Sequence, residues 1–203
     1  METLETRIVP TTRYWQGGFS TDMTDPWNWG SATSLPTSSD RAEFDASEMS
    51  GSYYPVLPYA EWLEVDEFVV ASDWTHEIVI DGTMESHDSW FYSEVTVSGD
   101  GHFRFVGGNH YLVTTTGYVD MRVRSASIYG GAVVHASYTN DPQYFGEDDY
   151  DSSGTMVIGS VGSGSGRLKL EGDKRIGWET ITINTNGTLE VVEDTQLVNT
   201  AYA

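Results

Sequence analysis

Apolar and polar residues alternate one for one in short runs along this chain. That period fits an extended strand with one face on a core and the other in water. Tyr118-Val119-Asp120-Met121-Arg122-Val123-Arg124 is the longest such run. Shorter ones lie at Arg41–Asp45, His76–Asp81, Ser93–Val97, His102–Phe105, Arg167–Glu171, Thr180–Ile183 and Thr188–Val191. Four runs begin with glycine and then read x-apolar-x-apolar, at Gly101, Gly117, Gly166 and Gly187. Their spacings of 16, 49 and 21 residues suit stacked coils of ~16 to 25 residues, the sequence form of a β-solenoid. A β-sandwich or jelly roll also sets glycine ahead of its strands and stands as the alternative. Tyr59–Ala71 fits a helix, with Trp62, Val65 and Val69 on one face, and fits two strands equally well.

Composition points the same way. Serine and threonine number 43 and glycine 21, against 2 lysines, 9 leucines and 10 alanines, so strand and turn formers outweigh helix formers. A hydrophobic content of 38% is enough for a packed core and excludes a wholly disordered acidic chain. The 31 acidic and 10 basic residues give a net charge of −21, which repels a phosphate backbone and excludes nucleic acid as a direct partner. Between Arg41 and Arg104 there are 14 aspartates and glutamates and no lysine or arginine; Ser125–Gly166 is likewise free of basic residues. Acid-rich coils facing water, with the ends of the chain making contacts, are expected from that distribution.

There is no cysteine, hence no disulfide framework and no thiolate metal site. Met1–Pro10 carries Glu2 and Glu5 and lacks the basic and apolar parts of a signal peptide, and no apolar run is long enough to cross a bilayer. Synthesis in a cytoplasm, with no membrane partner, is expected. Residues 1–13 read as an N-terminal arm and 14–161 as the all-β domain, capped by 14–40. Residues 162–203 read as final strands or an arm following the Gly/Ser stretch 159–166.

Residues 14–44 are the most distinctive stretch. Tyr14-Trp15-Gln16-Gly17-Gly18 leads to Thr21-Asp22, Asn28-Trp29, Leu35-Pro36-Thr37 and Asp40-Arg41-Ala42-Glu43-Phe44. This order resembles the opening segment of right-handed β-helix proteins of phage virions and bacterial surfaces. In them a Trp-x-Gly-Gly turn and an Asn-Trp pair precede a Pro-x-x-x-Asp turn and the first solenoid strand. The resemblance implies the right-handed β-helix fold, in a group that includes adhesins, autotransporter passengers and virion components. In physical terms Trp15, Trp27 and Trp29 are expected to cover the first coil, whose strand edge otherwise invites aggregation.

Candidate chemistry is sparse. Asp149, Asp151 and Ser153, followed by Gly154, match ligand positions 1, 3 and 5 of a calcium loop, but position twelve is Ser160 rather than glutamate. An acidic solvated loop is the alternative there. The five histidines show no metal-ligand spacing; strands are able to bring His102 and His110 together. No Gly-x-Ser-x-Gly elbow or phosphate loop is present. No catalytic residue, no cofactor beyond Ca2+ and no enzymatic activity are therefore expected.

The expected function is a non-catalytic structural component of a bacteriophage virion, a capsid decoration (cement) protein or tail appendage. It would form a dimer or trimer and contact shell or tail proteins through Thr3–Arg13 and Thr195–Ala203. The alternative is a carbohydrate-binding or carbohydrate-cleaving β-helix protein of tailspike or lectin type, with exposed Trp62, Trp74 and Trp90 beside acids in a groove.

Overall fold

The computed structural model describes residues 10–30, 34–112, 119–136, 143–145, 155–159, 164–170, 174–176, 180–192 and 197–199. The chain is all-β. In order, the strands are β1 (Thr11–Tyr14), β2 (Asp40–Phe44), β3 (Val56–Leu57), β4 (Trp62–Val70), β5 (Ile78–Ile80), β6 (Thr83–Phe91), β7 (Val95–Val106) and β8 (Asn109–Leu112). They continue as β9 (Val119–Tyr129), β10 (Ala132–Ala136), β11 (Gln143–Phe145), β12 (Thr155–Ile158), β13 (Gly166–Leu170), β14 (Lys174–Ile176), β15 (Thr180–Ile183), β16 (Gly187–Val191) and β17 (Leu197–Asn199).

Every strand pairing among the described residues is parallel. A sandwich built of hairpins requires antiparallel neighbours, so the coil-on-coil arrangement of a β-solenoid is the one formed. The registers resolve into three ladders. The first stacks β1, β2, the end of β4, the end of β6, β8, β10, β13 and β16. The second stacks the starts of β4 and β6, the ends of β7 and β9, β12 and β15. The third stacks β3, β5, the starts of β7 and β9, β11, β14 and β17.

Successive coils in the first ladder are 21 to 34 residues long, which is why a fixed repeat is hard to see in the sequence. The glycine-led runs also belong to different ladders. Gly166 and Gly187 are register partners in the first, whereas Gly101 precedes a strand of the second. At both partners a Cβ would lie 2.1 Å from a carbonyl oxygen, of Ile128 or Ile158, so the backbone approach tolerates no side chain.

Tyr59–Ala71 contains no helix. Trp62–Val70 is one strand that serves the second ladder with Trp62–Val65 and the first with Glu67–Val70. Thr11–Arg13, expected in an arm, lie in β1 and pair with β2. The strands after residue 162 continue the same ladders as final rungs.

Inward-facing positions stack in columns because parallel in-register strands place like positions over one another. One column of the first ladder holds Phe44, Val70, Phe91, Leu112, Ala136 and Leu170, and one of the second holds Leu63, Met84, Phe103, Ala126 and Met156; all are buried. At the N-terminal end the core is aromatic. Phe44 meets Trp29 at 5.6 Å, Phe68 at 5.1 Å and Trp74 at 5.5 Å between ring centroids, in edge or tilted contacts. Phe44→Ala removes the ring that joins the first coil to the next. It is expected to cost about 3–5 kcal/mol, read from the shift of the guanidinium unfolding midpoint.

Candidate functional site

The described residues between β1 and β2 form the first coil, and the distinctive ones each hold part of its turns. Asn28 is fully buried: its Oδ1 accepts from the backbone N–H of Phe19 and Ser20, and its Nδ2 donates to Ser20 Oγ and the Asp22 carbonyl. Trp29 donates from Nε1 to the Met23 carbonyl, and Trp15 donates to that of Tyr53. Asp40 accepts from both the backbone N–H and the hydroxyl of Thr37, closing the turn after Pro36. Gly17 has φ 53°, and a Cβ there would meet the Tyr53 carbonyl at 2.3 Å. Trp15 and Trp29 are in the core, but Trp27 is not. It is 54% exposed and rests against exposed Phe19, because the 3-10 helical turn Pro26–Trp29 points neighbouring side chains to opposite sides. Asn28→Ala leaves two backbone amides and a carbonyl without their buried partner. We expect a loss of about 1–3 kcal/mol, measured by thermal unfolding.

The expected calcium ligands Asp149, Asp151 and Ser153 lie outside the described residues. His102 and His110 are not brought to one site. His102 sits in the second ladder and its Nε2 is 2.9 Å from Ser127 Oγ; His110 faces inward in the first. His110 ends a polar chain inside the core, in which Ser86 Oγ donates to the Asp88 carbonyl, Ser89 Oγ to Ser86 Oγ, and His110 Nδ1 lies 2.9 Å from Ser89 Oγ. A serine beside a histidine is the pairing a nucleophilic enzyme uses. Here Ser86, Ser89 and His110 are all 0% exposed, so this hydrogen-bonded row is closed to solvent.

Burial lowers the His110 pKa to about 3, and burial followed by the nearby Arg104 charge lowers that of His102 to about 4. Unfolded, both imidazoles take up protons as pH falls through 6.5. Folded, they do so only near the lower values, so stability is fully present above pH 6.5 and is lost as pH drops from there toward 4. Each excluded proton costs about 1.4 kcal/mol per pH unit over that window. The paired variant Ser89→Ala, His110→Leu is expected to lose less stability between neutral pH and pH 4.5 than the parent, measured by urea unfolding at each pH.

Outward-facing charges are paired across coils. Arg41 donates from Nε to Glu67 Oε2 and lies 3.7 Å from Glu43. Arg104 is 3.4 Å from Glu85 Oε2, which also accepts from the Tyr129 hydroxyl, and its guanidinium lies 5.2 Å from the centre of the Trp62 ring. Glu64, Glu85 and His87 bring ligand-type atoms within 4.8 Å of one another. Glu85 already faces the Arg104 guanidinium, and His87 lies 3.6 Å from Glu64.

The three tryptophans expected in a groove separate. Trp74 is buried, donating to the His76 carbonyl. Trp90 stacks on Tyr111 at 4.6 Å and Tyr111 on His135 at 4.8 Å, all three on one outward column. Such a stack turns ring edges outward, whereas a sugar platform needs an open ring face. Only Trp62 is strongly exposed, at 58%. Exposed aromatics instead concentrate in the first coils. Of the nine large apolar side chains exposed among the described residues, Phe19, Trp27, Tyr53, Tyr54, Tyr59 and Trp62 all fall in the first coils. Alternation in the sequence did not show these exposed rings, since none of the six lies in a strand's interior. No helix among the described residues is long and apolar enough to cross a membrane. Comparison with protein-family models, curated proteins and solved structures finds no match for this chain.

Proposed function

We propose that this chain is a non-catalytic structural component of a bacteriophage virion, a capsid decoration protein or tail appendage. It docks on shell or tail proteins through the aromatic surface of its first coils. The six exposed aromatics between Phe19 and Trp62 carry this reading. Exposed aromatics on a rigid support are the usual anchors of protein interfaces, and two of these, Phe19 and Trp27, are in ring contact at 5.5 Å. The in-register core gives a stiff support, and the histidine nearest to a catalytic pairing is sealed from solvent. A net charge of −21 favours a partner face with basic or neutral character. Self-association into a dimer or trimer uses the same kind of surface.

The carbohydrate-processing alternative expects Trp62, Trp74 and Trp90 in one groove; Trp74 is buried in the lining of a cleft with Glu77 and Glu94, and Trp90 stacks on Tyr111. The test is to purify particles from lysates of the source strain and ask whether this chain sediments with them. Retention on particles is expected, with an at least tenfold loss for Trp27→Ala, Tyr59→Ala. A chain that stays in the soluble fraction while particles pellet would refute the assignment. Analytical ultracentrifugation of the purified chain reads the oligomer.

A further inference from the structure

A cleft of about 700 Å³ opens on the outer side of the solenoid, away from the core histidines. Its rim is the turn from Ser72 to Glu77, which leads from β4 into β5, together with Glu94 in the turn between β6 and β7. Its floor is Ser93, Thr96 and Arg122, contributed by successive coils. Three features define what it takes. Ser93 is 7% exposed, and its buried Oγ makes no hydrogen bond among the described residues, although it lines the cleft. A buried hydroxyl without a partner is costly, and a ligand hydroxyl entering the cleft satisfies it.

The second feature is the lining itself. Hydroxyls from Ser72, Thr75, Ser93 and Thr96 dominate it, each able to donate and to accept. Trp74 and Val95 also line the cleft, both nearly buried, so its apolar surface is small beside the hydroxyl and charged groups. The third is charge. Glu77 and Glu94 disfavour an anion, in a chain already strongly negative, and with Arg122 they give the lining groups of both signs that hydrogen-bond a neutral ligand.

We propose that this cleft binds a neutral polyhydroxylated ligand, a saccharide of one to three units. Arg122 and the two carboxylates serve as hydrogen-bonding partners for ring hydroxyls, and Ser93 Oγ fixes one hydroxyl at the floor. This site is separate from the aromatic surface of the first coils and stands or falls independently of it.

The test is amide chemical-shift mapping on the isotope-labelled full chain, titrated to millimolar levels with glucose, galactose, N-acetylglucosamine and their trisaccharides. Glucuronate and spermidine serve as charged comparators. At least one neutral sugar is expected to shift the amides of Ser93, Glu94, Thr96 and Arg122. Affinity is expected to fall about tenfold in Ser93→Ala. Thr96→Val, an outer-face change that leaves the core columns intact, provides a second reading of the same loss. Absence of shifts at the cleft with every neutral sugar overturns the proposal, as does binding that Ser93→Ala leaves unchanged or a charged comparator that binds more tightly. Particle retention is expected to be unchanged in Ser93→Ala, which keeps the two sites distinguishable.

Discussion

The backbone hydrogen bonds of each described coil are made to the coils before and after it. Parallel, in-register stacking is therefore the constraint from which the other features follow. A strand fixed in this register places its side chains directly over those of the preceding coil. Phe44, Val70, Phe91 and Leu112 become one continuous apolar column, and Trp90, Tyr111 and His135 become one outward aromatic stack. Glycine is required where two backbones close at a corner, as at Gly166 and Gly187. Nothing in a single coil is stable alone, since its edges are satisfied only by neighbours.

That constraint also explains how so acidic a chain folds. Along the sequence Arg41 and Arg104 bracket a stretch without basic residues. In space they reach into it from both ends: Arg41 meets Glu67 of the next coil, and Arg104 meets Glu85 of the preceding one. Glu67 and Glu85 are both nearly buried, so these pairs neutralise two carboxylates that water barely reaches. A third buried acid, Asp40, is held by the Thr37 amide and hydroxyl. Exposed aromatics are confined mostly to the first coils, while polar residues line the cleft beside Ser93.

Much of the fold was legible in the sequence. Alternation at Ser93–Val97, His102–Phe105, Arg167–Leu170 and Thr188–Val191 marks strands because half of each such strand faces a core. Trp15, Asn28, Trp29 and Asp40 marked the first coil, since turns with buried polar contacts need those particular residues. Tyr59–Ala71 was ambiguous because a strand that turns a corner mid-way mixes periods of two and four. Trp27 was read as core because adjacency to Trp29 says nothing of which way a 3-10 turn directs each ring. The candidate sites were less legible. Ser93 and Arg122 are 29 positions apart, and only coil stacking brings them to one floor.

By itself, the sequence determined that this protein is all-β, acidic and glycine-cornered. Those properties are local: period-two burial, turn chemistry and charge are read from neighbours in the chain. The tertiary structure alone decided that the pairings are parallel, that coil length varies from 21 to 34 residues, and that His110 and Ser89 are sealed in the core. It also decided which tryptophans meet solvent. These are matters of register between segments some twenty to thirty residues apart, set by the fit of whole coils rather than by any residue's own preference.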